Sequence, residues 1–230
     1  MIPIVSARSI RAWLVGLIGA AILVGLIGAI SHGAGEASAA PAPVIGVGVK
    51  VIPQGGGGCN VATVSGRTFD FAGHCGKVND RITDANGQYV GTVIRSTTYP
   101  DGSGVSANYA DIATVQMAPN VIVRDEVPVK GVGQPRHGST VCKHGHGIAN
   151  KVRQCGTVVA ITKFGIVIKG MAVTPFDSGS PVIDANDEVV GIISGSPSLI
   201  DAALSAARAL GIPVPDGASV ATRADYELVG

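Results

Sequence analysis

Three short segments carry side chains suited to nucleophilic catalysis. In chain order they are Ala72-Gly73-His74-Cys75, Asp111-Ile112-Ala113 and Phe176-Asp177-Ser178-Gly179-Ser180-Pro181. A serine hydroxyl is a weak nucleophile near neutral pH. It needs a base within hydrogen-bond reach, and the base needs a third group to fix its tautomer. His74 is the candidate base, Asp111 the candidate orienting carboxylate and Ser178 the candidate nucleophile. Ser178 lies between Asp177 and Gly179, with a small residue and Pro181 following, the composition of a tight turn. The order His, Asp, Ser is one of three in which such a triad is threaded. Taken singly, a histidine or a strand-opening aspartate is more often structural. The three together, each in a matching local context, point to acyl transfer.

The elements that must position these residues read as short strands. Val44–Ile52, Val61–Val64, Thr68–Phe71, Tyr89–Ile94 and Asp111–Met117 are strand candidates in the first half. Val121–Val123, Ser139–Val141, Thr157–Ile161, Gly165–Ile168, Pro181–Ile183 and Val189–Ser194 continue the style. Asn86-Gly87, Pro100-Asp101-Gly102, Thr162-Lys163-Phe164-Gly165 and Asp184-Ala185-Asn186-Asp187 are turn signals. One helix is expected over 199–210, from the spacing of Leu199, Ile200, Ala203, Leu204, Ala207 and Leu210. Ser198 is its candidate N-cap, and Gly211 with Pro213 its stop. Pro215–Gly230 has no evident role beyond packing on the body. No sequence repeat relates the two halves. The pattern is that of an all-β barrel or sandwich protein.

The chain has 230 residues, with 17 Lys+Arg against 16 Asp+Glu and 33 glycines. Near-neutral charge argues against nucleic acid as a partner. Arg8 and Arg11 precede an uncharged apolar run, Trp13–Ile30, and Ala37-Ser38-Ala39 fits a small-x-small cleavage pattern. Residues 1–39 read as a signal peptide cut after Ala39 or as a retained membrane anchor through residues 13–30. Both readings export the rest of the chain. Four cysteines in an exported domain imply two disulfides, and three connectivities are possible. Cys59–Cys75 and Cys142–Cys155 are favoured because each closes a short local loop. The competing reading, a soft-metal site at Cys142-Lys143-His144-Gly145-His146, fits no structural zinc spacing.

These motifs together resemble the chymotrypsin-like serine peptidases, most closely their bacterial, streptogrisin-like branch. Ala72-Gly73-His74-Cys75, Asp111-Ile112-Ala113 and Asp177-Ser178-Gly179-Ser180-Pro181 are similar to the family's histidine, aspartate and serine motifs. Val141-Cys142-Lys143 with Cys155-Gly156-Thr157-Val158 is similar to the branch's second disulfide segment. Val190-Gly191-Ile192-Ile193-Ser194-Gly195 resembles the strand lining the substrate cleft. The resemblance covers roughly residues 44–211. It implies two six-stranded antiparallel β-barrels with a C-terminal helix. The first barrel, within 40–120, would supply His74 and Asp111. The second, within 121–230, would supply Ser178. The backbone N–H groups of Phe176 and Ser178 would form an oxyanion hole. Ser194, Gly195 and Ser196 would contact substrate. Asp177 would be a buried carboxylate paired with Lys143.

The resemblance further implies a monomeric, secreted serine endopeptidase with a polypeptide substrate and no cofactor or metal. No acidic residue lies between Gly156 and Phe176, so small or apolar residues are expected on the acyl side of the cut. The pattern is broken at Phe176, where the family carries glycine, and near Val173, where a cysteine is missing. A bulky residue at a position needing a glycine-like φ would disturb the oxyanion hole. The alternative is therefore an extracellular binding module on an impaired protease fold.

Overall fold

The computed structural model describes residues 40–98, 110–148 and 153–225. Residues 1–39, where a leader is expected, the expected turn at Pro100-Asp101-Gly102 and the last five residues lie outside these. In the first half, β1 (Val44–Ile45), β2 (Lys50–Pro53), β3 (Cys59–Asn60), β4 (Thr63–Ser65), β5 (Thr68–Phe71), β6 (Arg81–Thr83), β7 (Tyr89–Ser96) and β8 (Ala113–Met117) follow the alternation of apolar residues. In β5, Phe69 and Phe71 point inward while Thr68 and Asp70 stay half-buried. The single strand expected over Val44–Ile52 divides into β1 and β2 at a turn, where Gly48 takes φ +87°.

Strands β3-β2-β6-β7-β8-β5-β4 lie side by side, each pair antiparallel. β3 and β4 are two ends of one bent segment. Between them the Val61 N–H donates to the Val49 carbonyl, and the Ala62 N–H to that of Asp70. The segment thus passes from β2 on one side to β5 on the other and closes a six-stranded ring. Phe69, Phe71, Ile82, Val93 and Val115 fill its interior.

Two short strands, β9 (Ile122–Val123) and β10 (Gly131–Val132), lead to the second half. There β11 (Thr140–His144), β12 (Arg153–Thr162), β13 (Gly165–Lys169), β14 (Pro181–Ile183), β15 (Glu188–Ile193) and β16 (Ser219–Arg223) form the second ring. Its order is β11-β12-β13-β16-β15-β14, with β14 returning to β11. Substituting β2, β3/β4, β5, β6, β7 and β8 for β11 to β16 gives the order of the first ring. The fold is therefore two antiparallel barrels of one topology, as the motifs implied.

The helix α1 (Pro197–Ala209) joins β15 to β16. It starts earlier than its apolar spacing indicates: Ser196, not Ser198, is the N-cap, and Pro197 takes the first turn. Proline suits that position, since its missing N–H would have had no helical partner. Ala203 and Ala207 pack on Ala160, Val167 and Val220. This cover explains why Ile166, Val167 and Ile168 of β13 are all buried. Residues after Pro215, which had no evident role, supply β16, the strand that closes the second barrel. Between the barrels Ala62, Ala72, Ala110, Ile112 and Ile192 form a further, smaller apolar cluster. His74, Asp111 and Ser178 converge beside it.

Candidate active site

β5 ends at Phe71, and Gly73–Cys75 makes a single 3-10 turn carrying His74. The Cys59–Cys75 disulfide ties that turn back to β3. Asp111 precedes β8 and is wholly buried. A buried carboxylate must be supplied with donors. Its Oδ1 accepts the His74 backbone N–H at 2.7 Å, and its Oδ2 lies 2.7 Å from His74 Nδ1. Ser194 Oγ also donates to Oδ2. The Asp111 N–H donates to Thr222 Oγ1 at 2.9 Å, so β16 helps to hold it. With Nδ1–H committed to Asp111, Nε2 is the acceptor. It stands 2.8 Å from Ser178 Oγ. Burial opposes protonation of His74, but the hydrogen bond and charge of Asp111 outweigh it and raise the imidazole above its ordinary value.

The turn bearing Ser178 is fixed from beneath by Asp177. Its Oδ1 meets Lys143 Nζ at 2.6 Å, both side chains being almost fully buried. Its Oδ2 accepts from the Thr174 N–H at 2.7 Å and from Thr174 Oγ1 at 2.9 Å. Gly179 has φ +78°, and a side chain there would meet the Asn60 carbonyl at 2.3 Å, so only glycine fits.

Phe176 has φ +73°. It adopts the left-handed conformation that glycine takes freely, at a cost of about 1–2 kcal/mol for an L-residue. It does not take the negative φ ordinary for an L-residue. The residue is 39% exposed, and its ring packs near Gly58 and lies 5.3 Å from Lys50 Nζ. The two flanking carbonyls are pinned. That of Pro175 accepts the Ile148 N–H at 3.0 Å, and that of Phe176 accepts Asn60 Nδ2 at 2.8 Å. In a trans peptide the N–H opposes the C=O. The Phe176 N–H is therefore directed away from Ile148. Neither it nor the Ser178 N–H meets an acceptor among the described residues.

A cavity of about 570 Å³ opens beside His74 and Ser178. Met171, Val173, Ile200 and Val220 give it an apolar lining, with Ser194 and Gly195 along one wall and no carboxylate, lysine or arginine among the described residues that line it. A side chain on Gly195 would approach Ser178 Oγ to 3.0 Å and His74 Nε2 to 3.2 Å, crowding the reacting atoms. Ser196 is buried at the helix start, its N–H donating to Ser194 Oγ at 3.1 Å, and does not line the cavity.

The structure thus brings together His74, Asp111, Ser178, Phe176, Asp177, Lys143, Ser194 and Gly195. The disulfides are Cys59–Cys75 and Cys142–Cys155. The second consumes Cys142 and removes the thiolate that the soft-metal reading required. His146 instead sits 3.0 Å from both Glu126 carboxylate oxygens. Asn60, Thr174 and Thr222 were missed by sequence reasoning. Only the adjacency of Asn60 to Cys59 hinted at any of them.

The fold is that of the chymotrypsin-like serine proteases. The chain is similar to Cellulomonas bogoriensis chymotrypsin at 23% identity and TM-score 0.51, over 66% of this chain and 83% of that one. It is similar to the Nocardiopsis protease NAPase at 22% identity and TM-score 0.52, over 79% of this chain and 93% of that one. No protein-family model and no curated protein sequence matches the chain.

Proposed function

We propose that this chain is an exported serine endopeptidase with a working His74-Asp111-Ser178 triad. One observation carries the reading. The three side chains form a continuous hydrogen-bonded relay, 2.7 Å and 2.8 Å in its two steps, beside two backbone N–H groups with no acceptor among the described residues. Ser178 Oγ attacks the substrate carbonyl carbon and passes its proton to His74 Nε2. Asp111 holds the ring and stabilises the imidazolium. The N–H groups of Phe176 and Ser178 donate to the oxyanion, an arrangement in which each donor contributes roughly 3–4 kcal/mol. His74 then protonates the leaving amine as the C–N bond breaks, leaving an acyl-Ser178 ester. Water, deprotonated by His74, hydrolyses that ester.

The acyl-side residue enters the cavity, whose apolar lining favours small or apolar side chains over Arg or Lys. The Ser194 carbonyl, beside the relay, accepts a substrate N–H. Asp177 and Lys143 act as the structural pair beneath the turn. The domain plan is a leader over 1–39, a first barrel to 120 and a second barrel from 121. The leader pattern and the two disulfides support secretion, or attachment to the outer membrane face through residues 13–30 if the leader is retained.

The second reading, a binding module on an impaired protease fold, rests on the strain at Phe176. A fluorophosphonate probe separates the two. Stoichiometric labelling at Ser178, abolished in Ser178→Ala, is expected. A folded protein that takes no label, and behaves like Ser178→Ala, would overturn the enzyme reading.

A further inference from the structure

Phe176 stands in a strained backbone conformation, so something must hold it there. Asn60 touches the strained unit directly. It is wholly buried at the end of β3, in the first barrel, and both polar groups of its side chain and its backbone N–H are used across the interface. Nδ2 donates to the Phe176 carbonyl at 2.8 Å and to the Ser178 carbonyl at 3.2 Å. Oδ1 accepts the His146 N–H at 3.0 Å, and the Asn60 N–H donates to the Ser178 carbonyl at 2.8 Å. Only a side-chain amide offers a donor and an acceptor in this geometry. An aspartate keeps the acceptor and lacks the donor. A leucine of similar shape has neither.

We infer that Asn60 is a positioning residue for the oxyanion hole: its amide locks the Phe176 carbonyl, and thereby keeps Phe176 in the left-handed conformation that presents its N–H to the reacting carbonyl. The inference rests on the proposed triad chemistry and extends it. A glycine at 176 would occupy this conformation freely and need no lock. A phenylalanine returns to negative φ unless the peptide following it is held, and that rotation swings the flanking N–H out of line. Asn60 also belongs to the barrel that carries His74 and Asp111. One side chain therefore registers the histidine half of the site against the serine half.

The test compares Asn60→Leu and Asn60→Asp in the Phe176 protein and in Phe176→Gly. In the Phe176 background both variants are expected to lose on the order of 10²-fold in kcat, the loss typical of one oxyanion donor, with KM changed less than about threefold. In the Phe176→Gly background the loss should shrink to less than about fivefold, because glycine needs no lock. Equal losses in the two backgrounds, or a change confined to KM, would overturn the inference. Crystal structures supply a readout independent of turnover. Phe176 is expected at negative φ in Asn60→Asp, the variant that keeps the His146 contact, and an unchanged positive φ would equally overturn the assignment. Failure of the parent protein to take a fluorophosphonate label would instead strike the proposed function, leaving the crystallographic arm to decide on Asn60.

Discussion

Replacing Lys143 by methionine probes the support beneath the nucleophile. The change keeps most of the side-chain volume and removes the ammonium. Asp177 then retains its two Thr174 donors but loses the cation in contact with it, in a site where the two side chains are 2% and 1% exposed. Removing one member of a buried ion pair costs about 3–5 kcal/mol, because the other charge is left without compensation. Against a total stability of roughly 5–15 kcal/mol, that is a large fraction. Asp177→Asn in the same chain removes the orphaned charge and keeps an oxygen for Thr174. The double variant should recover about 2 kcal/mol or more of the loss. Urea denaturation gives the four free energies of the cycle, and fluorophosphonate labelling of Ser178 reports whether the turn above still works. Labelling should slow in Lys143→Met and partly recover in the double variant. If Lys143→Met loses less than about 1 kcal/mol, or if the two substitutions simply add, then Asp177 is not held by this pair and the account of the turn is wrong.

Other expectations concern the histidine, the disulfides and the cavity. Protonated His74 cannot accept the Ser178 proton, so the labelling rate should rise with pH through a midpoint above 6.5. In Asp111→Asn only the opposing effect of burial remains, and the midpoint should fall below 6.5; no downward movement would remove Asp111 from its assigned role. Because the folded value of His74 is raised, its contribution to stability is fully present below the unfolded value and fades as pH rises through the folded one. Titrating Asp111→Asn beside the parent in denaturant should show that this contribution is lost. Replacing both Cys59 and Cys75 by alanine opens a loop of sequence separation 16 and should cost about 3 kcal/mol in urea titrations. A loss below 1 kcal/mol would mean that the barrel alone holds the histidine turn. In peptide libraries, cleavage should follow small or apolar residues at least tenfold faster than Arg or Lys, given an uncharged cavity wall. A basic preference would refute the assignment of the acyl-side pocket.

The candidate catalytic residues were legible because their signals are local. His74 with Cys75, and Ser178 within Asp177–Pro181, announce themselves inside six residues. Their supports are not local. Asn60 meets Phe176 across 116 positions, and Thr222 meets Asp111 across 111. No periodicity in a short window can report such contacts. β16 escaped notice for another reason: Ser-Val-Ala-Thr-Arg is short and polar at both ends, and its burial comes from two neighbouring strands. The common topology of the two barrels left no sequence repeat, since ladder order depends on which short strands face inward and not on residue identity. Phe176 was recognised as an exception from the chain alone. Its conformation followed only once the partners of the two flanking carbonyls were known.

Where a cystine is missing near Val173, the cavity takes a wall from α1, through Ile200, on a helix seated by Ala203 and Ala207. The covalent links lie elsewhere, one behind His74 and one between β11 and β12. The pocket wall and the histidine turn are therefore held by different means, one by apolar packing and one by a covalent link. Reduction is expected to loosen the turn that carries His74 while the packing of α1 on β12, β13 and β16 stays as it is.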